Sequence, residues 1–526
     1  MNDLEGGSRR RIRNGRWFRA VGLGAAVAAA LATAGCSAPS SDDSQTDDTL
    51  VYGWLYPDGY SATYDPAADG WAGDSLAQQC VYDTLLHYDF QNKEEWGPAT
   101  PGLATDWTIS PDLMSIELQL REGVTFTDGA IFDAAAVKAN IDFQIAQSTW
   151  FDAPVDKDAV EILDDYRVRI NFDQELPVAL PQGIYERLQL LMMVSPEALE
   201  DRETLAEHPV GTGPYTLDLE ETTFGVEYVC NRIDDYWDVE SFPFETVIVR
   251  QYPDVISATN ALKSGQIDVT LIDPTVAAEL EGGGFTVVRS HPNWSGLQIG
   301  DKTGAIVPAL GDVRVRQAMN YAFDRETIAA TVDGGYAVPT NQAYSSIWPE
   351  YLPDRTDEYA YDPEKARELM AEAGYADGFD LVIPQWGPGT KYDPIIAQSL
   401  GEIGIRVTFE TRQDQGTEYN PGMKYAVMVW QGAAYEITNV ALVTTVNTFY
   451  NPWPTGETVT AELFDKIRFG DAEESKAAGQ ELGNYILDQA WFVPITSPEN
   501  LMATKPGIVA DFHLALGPYL ATIRPE

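Results

Sequence analysis

The side chains best suited to recognising a small molecule cluster in the C-terminal half of the chain. Val429-Trp430-Gln431-Gly432-Ala433-Ala434-Tyr435-Glu436 closes an apolar stretch, and Phe449-Tyr450-Asn451-Pro452-Trp453 follows it. Trp386, in Trp386-Gly387-Pro388, and Trp294 add two further indoles. Aromatic rings supply apolar contact area, and the amides of Gln431 and Asn451 can orient polar groups. Such a set suits noncovalent capture of a neutral or amphipathic solute, such as a capped peptide, a saccharide or an aromatic compound. Most rings in any chain are core. Trp430, at the end of an apolar strand, is the best placed to face a ligand, and Tyr435 and Trp453 add apolar contact. Glu436 is the one acid in these blocks and could anchor a cation.

Covalent chemistry finds no comparable support. The sequence has no Gly-x-Ser-x-Gly elbow, no His-Glu-x-x-His and no phosphate loop. Four histidines, His87, His208, His291 and His513, lie far apart with no zinc spacing, so no metal and no cofactor are expected. With 81 acids, carboxylate pairs can be drawn anywhere and identify nothing. Binding without conversion is the expectation, not catalysis.

The elements that must position these residues alternate between strand and helix. Leu50 to Trp54, Thr246 to Arg250, Ile267 to Leu271, Ile405 to Phe409 and Tyr425 to Trp430 read as strands. Asp112 to Leu120 alternates with Met114, Ile116, Leu118 and Leu120 on one face. Ser75 to Tyr88 has helical spacing, as do Val313 to Phe323 and Ile395 to Leu400. Asp133, Asp254, Asp324 and Asp362 are candidate helix caps, the last followed by Pro363 and Glu364. Gly265 and Gly374 are the matching stops. The class is α/β, and the length calls for two or three lobes.

The N-terminus is an export signal. Six arginines, from Arg9 to Arg19, precede an apolar run from Ala20 to Ala32, and Leu31-Ala-Thr-Ala-Gly-Cys36 ends it. This order resembles a bacterial lipoprotein signal, which implies a lipid on Cys36, although Thr33 stands where an aliphatic residue is preferred. Export could be by the general or the twin-arginine route. Residues 37–49 form a polar leash unable to bury apolar surface. The net charge is -47, and removing residues 1–36 takes away six arginines and two acids to leave -51. Such a field excludes nucleic acid as a partner. Cys80 and Cys230 could pair after export, or lie buried separately.

A family resemblance runs from about Leu50 almost to the C-terminus. It is carried, in order, by Tyr82-Asp83-Thr84-Leu85-Leu86, Leu120-Arg121-Glu122-Gly123-Val124-Thr125-Phe126-Thr127-Asp128-Gly129, Gly211-Thr212-Gly213-Pro214-Tyr215 and Tyr236-Trp237. Asn260-Ala261-Leu262-Lys263-Ser264-Gly265-Gln266-Ile267-Asp268 and the run from Val313 to Arg325 complete it. The chain resembles the bacterial ABC-transporter solute-binding proteins of family 5, the oligopeptide/dipeptide-binding type.

That resemblance implies a type II periplasmic-binding-protein-like fold with three lobes and a ligand cleft between lobes I and III. Lobe I would comprise residues 47–94, 208–300 and 495–526, lobe II residues 95–207, and lobe III residues 301–494. It implies hinge closure on a peptide-like solute, an ABC permease and ATPase as partners, and an extracytoplasmic protein held to the membrane by its N-terminal lipid. An oligosaccharide or small aromatic ligand, or a sensory or adhesion role, is the alternative. Family members that clamp a peptide amine place an aspartate soon after the strand that Trp430 ends. Here Ala433 and Ala434 stand there, and Glu436 is the nearest acid. From the residues themselves, Gly123, Asp128 and Gly129 shape a turn over Phe126, Gly211 and Gly213 supply backbone angles closed to larger residues, and Arg314, Arg316 and Arg325 pair with acids.

Overall fold

The computed structural model describes residues 48–55, 63–65, 76–87, 99–147, 159–172, 191–289, 293–344, 346, 351–385, 391–411, 425–433, 458–512 and 519–526. All of them belong to one unit, Thr46–Glu526. Three bodies of sheet, each with its own core, make it up. None of the described helices is long and apolar enough to cross a membrane.

The first sheet has seven strands, in the order Thr286–Arg289, Leu501–Thr504, Val269–Ile272, Thr49–Leu55, Thr246–Tyr252, Glu227–Arg232 and Tyr215–Leu217. Thr49–Leu55 runs parallel to both neighbours, and the outer pairs are antiparallel. A central parallel strand is covered on both faces and reads as continuously apolar. Leu50 and Tyr52 accordingly enter one hydrophobic cluster and Val51 another on the opposite face.

The second sheet is antiparallel, in the order Ala104–Ile109, Ser115–Leu120, Arg167–Asn171 and Val160–Asp164. Ile116, Leu118 and Leu120 face its core as their alternation predicts, while Met114 lies before the strand and is only partly buried. On the other face Arg169 bridges Glu117 and Glu161. Gly123 and Gly129 have φ of +79° and +87°, and Phe126 packs beneath their turn. Asp128 fixes that turn by accepting from Ala130 N and Ser195 Oγ.

The third body joins a four-stranded antiparallel sheet to a parallel pair. The sheet order is Ala337–Pro339, Phe492–Pro498, Asn293–Ile299 and Val427–Ala433, and the pair is Phe379–Gln385 with Ile405–Thr411. Helices Val313–Tyr321, Pro363–Glu372 and Asp393–Glu402 pack onto it through Val315, Met319, Met370, Ile396 and Leu400. Asn293–Ile299 and Phe492–Pro498 are bonded into this sheet, so the chain passes between first and third bodies twice, after Arg289 and after Pro498.

The capping aspartates act as the sequence suggests. Asp133, Asp254, Asp324 and Asp362 accept from the backbone N–H of Ala136, Ser257, Thr327 and Lys365, at 2.7–3.1 Å. Gly265 and Gly374 follow their helices with φ of +74° and +87°. These two positions require glycine because a Cβ disfavours the left-handed region.

Three readings are corrected. The helix from Ser75 to Tyr88 is only Leu76–Val81. Beyond it the backbone pairs with other segments: Gly213 N donates to Val81 O, Met193 N to Asp83 O, and Leu103 N to Thr84 O. The buried Asp83 carboxylate then accepts from His87 Nε2, Tyr236 OH and Trp237 Nε1 at 2.6–2.9 Å. Burial pushes its pKa up, but these partners outweigh burial and hold it below the ordinary carboxylate value.

Gly211 and Gly213 are needed for proximity, not for unusual angles. Neither has positive φ, and a Cβ on Gly213 would meet Val81 O at 2.6 Å and Tyr82 N at 2.7 Å. Arg314 does pair with an acid, Asp312, but Arg325 does not. Arg325 is buried and donates to the carbonyls of Asn320, Thr340, Tyr359 and Pro494 and to Asn320 Oδ1. Burial lowers its pKa to about 10. Arg316 donates to the carbonyls of Gln489 and Leu310, and its charge also helps to lower the pKa of Asp312.

The close approach at Gly213 is testable. Gly213→Ala should lower stability by about 1–3 kcal/mol through overpacking against Val81. Gly282→Ala, at a helical glycine with nothing within 4 Å of the added Cβ, is the control and should be neutral or stabilising. Urea midpoints measure both.

Candidate functional site

The strand Val427–Ala433 follows a two-residue alternation. Val427 and Val429 enter the main core of the third body, and Trp430 turns to the opposite face. On that face Trp430 lies across from Gly296, and Trp294 across from Gly432. A glycine opposite each indole leaves room for the rings to meet diagonally. Trp294 and Trp430 stack with centroids 5.9 Å apart and planes 18° from parallel. Gly296 has a second reason to be glycine, because a Cβ there would meet Pro494 Cα at 2.8 Å.

The pair is backed firmly. Phe492 meets Trp294 edge-on at 5.5 Å, and Leu463, Ile467, Leu482 and Ile486 from helices Thr458–Phe469 and Ala472–Asp488 complete the cluster. Trp294 is 4% exposed, so it supports Trp430 from within, whereas Trp430 itself is only half-buried. The exposed part of Trp430 is a rigid apolar surface that loses little entropy on meeting a ligand.

The other face of the same strands carries a buried polar cluster. Ser295 pairs in register with Thr496, and both are 0% exposed. The Asp333 carboxylate, equally buried, accepts from Lys391 Nζ at 2.9 Å, Tyr392 OH at 2.5 Å and Thr496 Oγ1 at 2.8 Å. Burial, and then Asp333, raise the Tyr392 hydroxyl well above its ordinary pKa, so it stays a donor. Close by, Gln385 donates to Asp393 at 2.6 Å, and burial raises the pKa of Asp393.

The cluster stands where the first and third bodies meet. A Cβ on Gly334, next to Asp333, would meet Pro274 of the first body at 3.6 Å. Tyr336 packs into a hydrophobic cluster of the first sheet, and its carbonyl accepts from Glu499 N at 3.0 Å. The Arg289 guanidinium lies 4.8 Å from the Tyr336 ring, with Glu281 at 3.5 Å and Glu499 at 3.9 Å. The last separation exceeds a hydrogen bond, so that ion pair is loose.

Of the binding residues expected from sequence, the structure brings Trp294 and Trp430 together. Gln431 is placed through its backbone, opposite Ser295. Trp386, Tyr435, Glu436, Asn451 and Trp453 lie outside the described residues, as does Cys36. Asp333, Lys391, Tyr392 and Thr496 were not anticipated. Positions 333 and 496 are 163 residues apart, and no local pattern connects them. The Gly334-Gly335 turn after Asp333 was the one available signal.

Asp333 has a predictable worth. Asp333→Ala strands the Lys391 ammonium and two buried hydroxyls, and should cost about 2–4 kcal/mol of stability. Asp333→Asn, which keeps one acceptor, should cost less. Urea unfolding with an unchanged m-value checks both.

Comparisons with known proteins agree with this architecture. The model of the family described as bacterial extracellular solute-binding proteins, family 5 Middle, matches residues 99–451. The glutathione-binding protein GsiB of Salmonella paratyphi A is 28% identical over 421 residues, covering 76% of this chain and 74% of its own length. Among solved structures, the ABC transporter-associated periplasmic binding protein DppA of Helicobacter pylori, in complex with the peptide STSA, superposes with a TM-score of 0.73 at 22% identity, covering 91% of this chain and 98% of that one. NikA of Brucella suis, in complex with Fe(III)-EDTA, gives 0.74 at 24% identity, covering 91% and 100%. The fold is therefore α/β, of the type II binding-protein kind. A peptide and a metal chelate occupy these two structures, so the fold alone does not name a ligand.

Proposed function

Because the chain belongs to the bacterial extracellular solute-binding proteins of family 5, we propose that it captures a peptide-like solute and delivers it to the permease and ATPase of an ABC importer. Its work is binding outside the cytoplasm, not conversion. The observation that carries this reading is the stacked Trp294–Trp430 pair, whose Trp294 lies on the first strand after one of the two chain crossings between separately cored sheets. In this reading the seven-stranded body is the framework of lobe I, the body built on 104–171 is lobe II, and the third body is lobe III. Lobes I and III close on the solute by bending where the chain crosses. Trp430 supplies apolar contact, with Gln431, Tyr435, Asn451, Trp453 and Trp386 completing the pocket and Glu436 competing as an amine anchor.

Alanine at positions 433 and 434 favours a solute held without an ammonium clamp, because a buried ammonium needs a counter-charge. N-acetylated and free peptides of two to five residues should therefore raise the melting temperature alike. Trp430→Ala should weaken binding of the best peptide by about 2 kcal/mol, or roughly 30-fold, while the unliganded protein still unfolds cooperatively. A shift only with oligosaccharides or aromatic compounds would replace peptide with a non-peptide solute. A shift with free peptides alone, lost in Glu436→Gln, would restore the amine clamp.

The same reading places the protein on the membrane through a lipid at Cys36, joined by the polar leash to Thr49. Metabolic labelling with a palmitate analogue should mark the wild type and leave Cys36→Ala unlabelled. Equal labelling of both would remove the anchor from the proposal.

A further inference from the structure

Cys80 and Cys230 come from distant parts of the chain and meet in one core. Cys230 lies on the strand Glu227–Arg232, between Leu217 and Val247 of the neighbouring strands. Cys80 lies on helix Leu76–Val81, which packs on that face of the sheet. Both residues are 0% exposed and belong to one hydrophobic cluster, where burial and then the neighbouring Cys230 push the Cys80 thiol's pKa up. Tyr64 and Tyr215 are buried in the same cluster as both cysteines. No other cysteine lies beyond Cys36. In the structure both are free thiols.

We propose that in the exported protein Cys80 and Cys230 are joined by a disulfide. The compartment permits it, since extracytoplasmic chains meet disulfide donors that cytosolic chains do not. Two cysteine thiols react with one disulfide donor: the first thiolate attacks the donor and releases one donor thiol. The second thiolate attacks the mixed disulfide, forms the Cys80–Cys230 bond and releases the other. The cysteines lose two electrons and two protons, and the donor becomes two thiols. Burial decides when this happens. A thiol enclosed in an apolar core stays protonated and unreachable, so the bond forms on the unfolded chain, before the core closes.

The position gives the bond a purpose. The chain leaves the first body shortly after Cys80 and returns to it shortly before Cys230, having built the sheet of 104–171 between. A bond there closes a loop of about 150 residues. It ties the exit and the return together near the Gly211–Gly213 contact with Val81, far in sequence from the crossings after Arg289 and Pro498. The second body is then fixed to the first, and movement is left to the third.

The test is peptide-resolved alkylation of the full chain. Protein exported by a bacterial host is denatured in iodoacetamide without reductant, digested and analysed by mass spectrometry, and compared with the same chain made in the reducing cytosol. The expected result is an unalkylated cross-linked peptide pair containing Cys80 and Cys230 in the exported protein, two hydrogen masses lighter than the separate thiol peptides. The cytosolic chain should be alkylated at both. Alkylation at both positions in the exported protein, or separate capping of each by a small thiol, would overturn the proposal. A second readout needs no mass analysis. Exported wild type should melt at a higher temperature than exported Cys80→Ala/Cys230→Ala, and reducing the wild type while it is unfolded should erase the difference. An equal melting temperature for wild type and double variant, unchanged by reductant, would also overturn it. Neither readout depends on the identity of the solute.

Discussion

Two segments of chain, distant in sequence and adjacent in space, join sheets that are otherwise built independently. Thr286–Arg289 pairs with Leu501–Thr504 in the first body, and Asn293–Ile299 pairs with Phe492–Pro498 in the third. Both pairings are antiparallel, so the same two segments are neighbours before and after they cross. Each body keeps a closed core, with Leu297, Val427 and Val493 on one side of the crossing and Val51, Leu501 and Ala503 on the other. Packed cores resist continuous deformation, so relative movement concentrates where packing is thinnest. The contacts that bridge the bodies suit such movement. Arg289 meets Tyr336 through its ring face and Glu499 at a loose 3.9 Å, geometries that shift without stranding a buried charge.

The rigid parts, by contrast, are fixed by charges with no freedom to move. Arg325 is enclosed by four carbonyls and an amide oxygen from the chain between Asn320 and Pro494. Those bonds tie helix Arg325–Thr331 to the strand Phe492–Pro498 and to the loop at Tyr359. Desolvation lowers its pKa to about 10, which still leaves it charged at neutral pH. Asp333 performs the complementary role at the other end of that helix, accepting from Thr496 on the same strand. A buried cation and a buried anion thus hold one helix to one strand, and that strand lies beside the one that carries Trp294.

Local chemistry was legible in the sequence, and long-range pairing was not. Asp254, Asp324 and Asp362 announced helix starts because an N-cap needs only its own residue and the next turn, and Gly374 announced a stop for the same reason. The strand that carries Trp430 was legible because a short apolar run ends on that residue. Asn293–Ile299 gave no comparable signal: its partners are more than a hundred residues away, and its membership of the third sheet depends on both. The helix read over Ser75 to Tyr88 failed for a related reason. Its spacing is helical, but Asp83 and Val81 are claimed by Trp237 and Gly213, and such tertiary bonds outweigh propensity. Arg325 was misread because pairing with an acid is the surface habit of arginine, and nothing local says that it is buried.

Charge and shape together bear on what the site admits. The chain carries -47, and two of the cations described where the first and third bodies meet are already committed. Lys391 is held by Asp333, and Arg289 stands among Glu281, Glu499 and the Tyr336 ring. A polyanionic solute would approach against this field, and salt screens that field only beyond about 10 Å. The aromatic pair itself is uncharged and already stacked, with Phe492 and two helices behind it. Held in this way, the half-buried Trp430 ring has little side-chain freedom left to lose. The negative field is thus a property of the whole surface and the preformed apolar face a property of one stacked ring, so the two can vary independently.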